Sequence, residues 1–214
     1  MLLSSKACGY NENPRSRLPF MNSLRLALLA PVLVLLAACG TTYKPLNLDA
    51  KTGMYDTTTQ VAPGAVSVSK TKVTPSEFAA VLVVTSSNRY PTRLEFLVRH
   101  ALLDMGYHNV VNITEFREWA RDSSFALSSA PLTPATVKAF SSRVSPVLIV
   151  DMRFSHVGGT THQASLRVTD GRSLEPLLQV NHVKTLWASA DEEILYPVLN
   201  ELRKWQQKMG REPV

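Results

Sequence analysis

Apolar positions along this chain change their period several times, and each change predicts an element. Phe78 to Thr85 is a continuous apolar run of strand length, the pattern of a strand buried on both faces. Leu94, Leu97, Val98, Ala101, Leu102 and Met105 then recur at helical spacing behind the capping-box pattern Thr92-Arg93-Leu94-Glu95, until Gly106 stops them. Tyr107 to Ile113 predicts a second short strand, and Asn112-Ile113-Thr114-Glu115 caps a short helix through Ala120. The same Asn-x-Thr matches a glycosylation sequon, but capping is the better reading. Asp122 to Leu132 reads as a loop, and Thr133-Pro134 supplies an N-cap and first-position proline for a helix over Ala135 to Ser142.

The second half of the chain has a different pattern. Val147 to Phe154 is another apolar strand. Turn signals at Gly158-Gly159 and Asp170-Gly171 enclose Ala164, Leu166 and Val168, which alternate with polar residues as in a half-solvated antiparallel meander. Leu177 to Trp187 completes the meander. Ser189-Ala190-Asp191-Glu192 caps a final helix with Ile194, Leu195, Val198, Leu199, Leu202 and Trp205 on one stripe. The expected fold class is α/β (α+β): a mixed sheet with crossover helices, an antiparallel meander and a C-terminal helix packed on the sheet.

Ahead of these elements, Leu26 to Ala38 is an uncharged run of 13 residues preceded by Arg25. As a helix it spans about 20 Å, too short for a hydrocarbon core of about 30 Å, so it reads as a signal-peptide core. It ends in Leu36-Ala37-Ala38-Cys39, which resembles the bacterial lipobox. Small residues admit a signal peptidase, and the thiolate of Cys39 is the nucleophile that takes up diacylglycerol. Residues 1–20 read as an extension ahead of the better start at Met21, residues 21–38 as a lipoprotein signal peptide, 39–75 as the lipidated Cys39 and a flexible tether, and 76–214 as one periplasmic α/β domain. Within the tether, Val66-Ser67-Val68-Ser69 reads equally well as linker or as an edge strand protected by Lys70 and Lys72. Gly40 after the cysteine resembles enterobacterial lipoproteins that lack aspartate there, which implies transport to the outer membrane, with the domain facing the periplasm.

Composition narrows the function. There are 23 Lys plus Arg against 17 Asp plus Glu, but beyond residue 38 the count is 19 against 16, with no basic run. Such a chain lacks the concentrated positive face of a nucleic-acid binder. Two cysteines close at most one bridge, and Cys8 lies ahead of Met21 while acylation consumes Cys39. Attachment to the membrane needs only the acyl chains, at about 0.8 kcal/mol per buried methylene.

A buried strand, a helix ending in Gly106-Tyr107, a second strand, two small helices, Val147-Leu148-Ile149-Val150, a meander carrying Arg167-Val168-Thr169-Asp170-Gly171 and a closing helix together resemble one periplasmic group. Its members are the curli-export lipoprotein, the Pel polysaccharide-export lipoprotein, a lipoprotein activator of peptidoglycan synthase and the TolB amino-terminal domain. The resemblance covers about residues 77 to 208. It implies a non-enzymatic binding or assembly component of an envelope, export or secretion system, with envelope proteins as partners, a homo-oligomer in some members, and no cofactor. No site residue follows from it beyond Cys39.

Motifs of catalysis are absent: no phosphate loop, dinucleotide turn, His-Glu-x-x-His helix, Cys-x-x-Cys pair or Gly-x-Ser-x-Gly elbow occurs. The rival expectation is an envelope hydrolase or metal-dependent enzyme built on Asp151, Arg153, His156 and His162. There a hairpin through Gly158-Gly159 brings both histidines onto one sheet face as metal ligands or a base. The bland alternative is a surface pair between Asp151 and Arg153, worth at most about 1 kcal/mol. His100 and Asp104 stand four apart on a helix and read as a solvated face with Glu95 and Arg99. Trp119, Trp187 and Trp205 read as core or interface anchors, and Ser123, Ser124, Ser128 and Ser129 as loop residues.

Overall fold

Six strands build one mixed sheet: β1 (Val66–Val68), β2 (Ala80–Ser87), β3 (Val110–Val111), β4 (Val147–Gly158), β5 (Thr161–Asp170) and β6 (Pro176–Thr185). Their spatial order is β1-β6-β5-β4-β2-β3. The computed structural model describes residues 48–87, 91–127, 131–186 and 190–209. Leu36 to Cys39, Ser128, Ser129, Trp187 and Ser189 lie outside them.

β2 runs parallel to both β3 and β4, and the remaining pairs are antiparallel. That arrangement follows from the connections. Parallel partners need a crossover, supplied between β2 and β3 by α1 (Pro91–Asp104) and between β3 and β4 by α2 (Ile113–Asp122) with α3 (Pro134–Arg143). Tight turns join β4 to β5 and β5 to β6, giving the meander. A π-helical turn at Asp191–Leu195 then leads into α4 (Tyr196–Met209).

Helices cover the sheet on two sides. On one, Leu94, Leu97, Val98, Ala101 and Leu102 of α1 and Ile194, Val198, Leu199, Leu202 and Trp205 around α4 pack on Val81, Val83, Leu148, Val150, Met152, Leu166, Val168 and Val180. On the other, Phe116 and Ala120 of α2 and Val137 and Phe140 of α3 pack on Leu82 and Val147. The alternation of strand side chains explains the split, because consecutive residues such as Val81 and Leu82 must enter different clusters.

Several local expectations change. α1 begins at Pro91, so Thr92 stands inside its first turn and is not the cap. The second strand shrinks to two residues because Asn112 is an N-cap: its side chain accepts from the Glu115 N–H at 2.9 Å, while Glu115 accepts from the Asn112 N–H at 2.8 Å. Thr133 caps α3 as expected, accepting from the Thr136 N–H.

The largest difference concerns the tether. From Leu48 onward the chain is packed: Tyr55, Val61 and Val73 are buried, and Val66–Val68 is the edge strand, paired with β6 at Val66↔Val180. What the composition hides is that a Thr- and Pro-rich segment still carries a few large apolar residues, and these find places on the domain.

Candidate functional site

One face of β4 changes character between Ile149 and Asp151. Val147 and Ile149 lie beneath α2 and α3, whereas Asp151, Arg153 and Ser155, next along the same face, do not join that cluster. The same uncovered face continues over β5, β6 and β1. Strand register arranges it in rows: Asp151, Arg167, Gln179 and Ser67 are successive cross-strand partners, and Arg153, Ser165 and Asn181 form the next row. These side chains line a groove of about 740 Å³, walled at one side by Ala62, Gly64 and Ala65. The cluster formed by α2 and α3 stops short of this part of the sheet, which leaves a polar groove open to solvent.

Its electrostatics are simple. The Arg153 guanidinium donates to Asp151, with Nη2–Oδ2 at 2.7 Å and Nε–Oδ2 at 3.2 Å. That hydrogen bonding raises the Arg153 pKa above its ordinary value. With Arg153 67% exposed and Asp151 21%, the pair faces solvent and contributes little to stability. Arg167 is exposed and enters no ion pair among the described residues. The Gln163 amide donates to Asn181 Oδ1 at 2.7 Å, fixing one part of the face. The groove therefore presents one surplus cation amid amide and hydroxyl groups, suited to polar recognition of an acidic partner surface.

The four residues of the enzymatic expectation are divided by the sheet. His156 and His162 are cross-strand partners with ring centroids 4.9 Å apart, so the hairpin does bring them together. They lie on the same face as Phe154, with His162 buried and stacked on that ring at 5.5 Å and His156 exposed toward the hairpin end. Asp151 and Arg153 occupy odd positions of β4 and point to the opposite face. Each histidine is also engaged with a backbone carbonyl, His156 Nε2 with Gly159 at 2.6 Å and His162 Nδ1 with Thr160 at 3.0 Å. Among the described residues no group of three His, Cys, Asp or Glu side chains is placed to hold a metal. The joint site is thus corrected to a surface ion pair and a separate histidine pair, because strand parity keeps them apart.

The remaining candidates have structural places. His100 Nδ1 lies 2.9 Å from the Phe96 carbonyl and its ring stacks on Phe96 at 3.7 Å, which ties it to its own helix and not to Asp104. Trp119 packs on Phe140 at 4.8 Å, and Trp205 is buried in the main core. Ser123 closes α2, and the Ser124 N–H bonds the Arg121 carbonyl. No helix among the described residues is long and apolar enough to cross a membrane.

Sequence reading missed Arg167, Ser165, Gln179 and Asn181. Their alternation with buried Leu166, Val168 and Val180 was visible, but the register that sets them beside Asp151 was not.

No family model matches the sequence, and no curated protein matches it. Among solved structures, the chain is similar to the LpoB C-terminal domain from Salmonella enterica, at 13% identity and TM-score 0.37, over 53% of this chain and 86% of that one. It is similar to PelC, a dodecamer from Paraburkholderia phytofirmans, at 13% identity and TM-score 0.36, over 69% and 98% of the two chains. A third is the lipoprotein GNA1162 from Neisseria meningitidis, at 19% identity and TM-score 0.33, over 50% and 81%.

Proposed function

We propose that this chain is a bacterial envelope lipoprotein, acylated at Cys39, that acts by binding. It serves as a non-enzymatic component of an envelope, export or secretion assembly, on the periplasmic side of the outer membrane. The observation that carries the binding role is the uncovered polar quarter of the sheet, where Asp151, Arg153, Ser165, Arg167, Gln179 and Asn181 line one groove. A sheet face without a helix over it is a ready platform, and its mixed polarity suits a contact that forms after export. The lipobox Leu36-Ala37-Ala38-Cys39 supports the anchor, and Gly40 supports the outer-membrane destination.

Photo-crosslinking in the native host tests the platform. A benzophenone amino acid at Ser165 or Asn181 should give one discrete adduct that is lost on Arg167→Glu, whereas the same probe at Leu103, exposed on α1, should not. Adducts from Leu103 alone would remove the sheet face as the binding surface.

A further inference from the structure

The stretch that follows the anchor is fixed to the domain at successive points. Leu48 bridges Tyr55 in antiparallel fashion, closing a turn in which the Asp49 carboxylate accepts the N–H groups of Lys51 and Thr52 at 2.7 and 3.2 Å. Gly53, at φ +65°, lies so close to α4 that a Cβ there would stand 2.8 Å from the Arg203 guanidinium. Tyr55 is 2% exposed, its ring 5.4 Å from that of Tyr196, and its backbone is held by the Asn200 side chain. Farther on, the Thr57 hydroxyl donates to the Glu192 carbonyl, Lys184 Nζ donates to Thr59 at 2.7 Å, and Val61 is buried.

We infer that residues 48–61 are a fixed strap and that the strap, with α4 beneath it, keeps this corner of the domain next to the lipid surface. The inference rests on the Cys39 anchor proposed above. With the strap in place, only residues 40–47 separate Cys39 from the first fixed residue. Nine Cα steps reach at most about 30 Å, against about 120 Å for a free chain to Pro75. A domain of this size has a radius of gyration of about 15 Å, so its strap corner cannot leave the membrane by much more than its own diameter. The partner of this corner is the lipid surface carrying the acyl chains.

The test uses the full lipidated chain in vesicles of phosphatidylethanolamine and phosphatidylglycerol, with a donor dye on Lys204→Cys and acceptors on the headgroups. Strong energy transfer is expected. Transfer should fall at least about twofold when 24 Gly/Ser residues, which alone span about 27 Å as a coil, are inserted between Asn47 and Leu48. A similar loss is expected for Tyr55→Ala/Asn200→Ala, provided its circular dichroism remains that of the parent. Equal transfer in the parent and the inserted form, with both chains floating with the vesicles, overturns the strap. A chain that neither floats nor carries acyl groups rejects the anchor instead.

Discussion

Asn200 holds the backbone of Tyr55 from both directions, its side-chain oxygen accepting the Tyr55 N–H at 2.7 Å and its amide donating to the Tyr55 carbonyl at 3.0 Å. Both residues are buried, and 145 positions separate them. Paired this way, both backbone polar groups of a residue outside the six-stranded sheet are satisfied in the interior, where an unmet group is costly.

Asn200→Ala should therefore destabilise the domain by more than the loss of an ordinary surface residue. Two buried backbone groups lose their partners, for a cost of about 2–4 kcal/mol, which corresponds to a fall in Tm of about 5–12 °C for a chain of this size. Asn200→Asp keeps the acceptor but loses the donor and brings a charge inside, so it should fall at least as far. Thermal melts followed by circular dichroism decide the matter; a Tm unchanged in both variants would mean the strap is not held by this residue.

Gly171 offers a second test of packing. Its N–H donates to the Val147 carbonyl at 2.9 Å, and a Cβ at this position would approach that carbonyl to 2.5 Å and the Ser141 hydroxyl to 3.0 Å. Since Ser141 itself accepts from the Val147 N–H at 2.9 Å, the start of β4 is clamped between them. Gly171→Ala should cost about 1–3 kcal/mol through overpacking, read as a lower midpoint in urea at unchanged slope.

The closing helix should be indispensable. Ile194, Val198, Leu199 and Leu202 are fully buried, and Leu195 and Trp205 nearly so. At about 1.5–3 kcal/mol for each large side chain, their loss consumes most or all of a usual stability of about 5–15 kcal/mol. Truncation before residue 189 should abolish the cooperative melt; a retained transition would make α4 a detachable arm.

Acid should act on the turn before β2. Hydrogen bonds from the Thr74 backbone and hydroxyl, with Arg172 adding to them, hold the Glu77 carboxyl below its ordinary 4.5. A folded-state pKa below the unfolded one gives stability that is complete above the ordinary value and is lost as pH falls through the depressed one. The decline in Tm from about pH 5 to about pH 3 should accordingly be smaller in Glu77→Gln than in the parent. Parallel declines would show that other carboxylates dominate.

The parts of the fold that could be read from the sequence are those encoded by local period. The α1 stripe and its stop at Gly106, which adopts φ +90°, are contained within one turn's neighbours, as are the Asn112 and Thr133 caps. Meander strands were likewise visible from Ala164, Leu166 and Val168. The strap was not, because its contacts join residues 55 and 200 through one amide and no period marks them. A trace was present all the same: Asn200 is a polar residue on the buried stripe of α4, next to Val198 and Leu199. The groove was hidden for a related reason. Asp151 and Arg167 become neighbours only through the β4–β5 register, and that same register separates Asp151 from His162.

The proposed acylation of Cys39 would set where this domain works, and radiolabelled palmitate in growing cells addresses it directly. The parent chain should take up label and Cys39→Ser should take up none, with the unlabelled protein retaining its signal peptide. Equal labelling of both chains, or label in neither, would contradict acylation at Cys39 and with it the membrane-bound role.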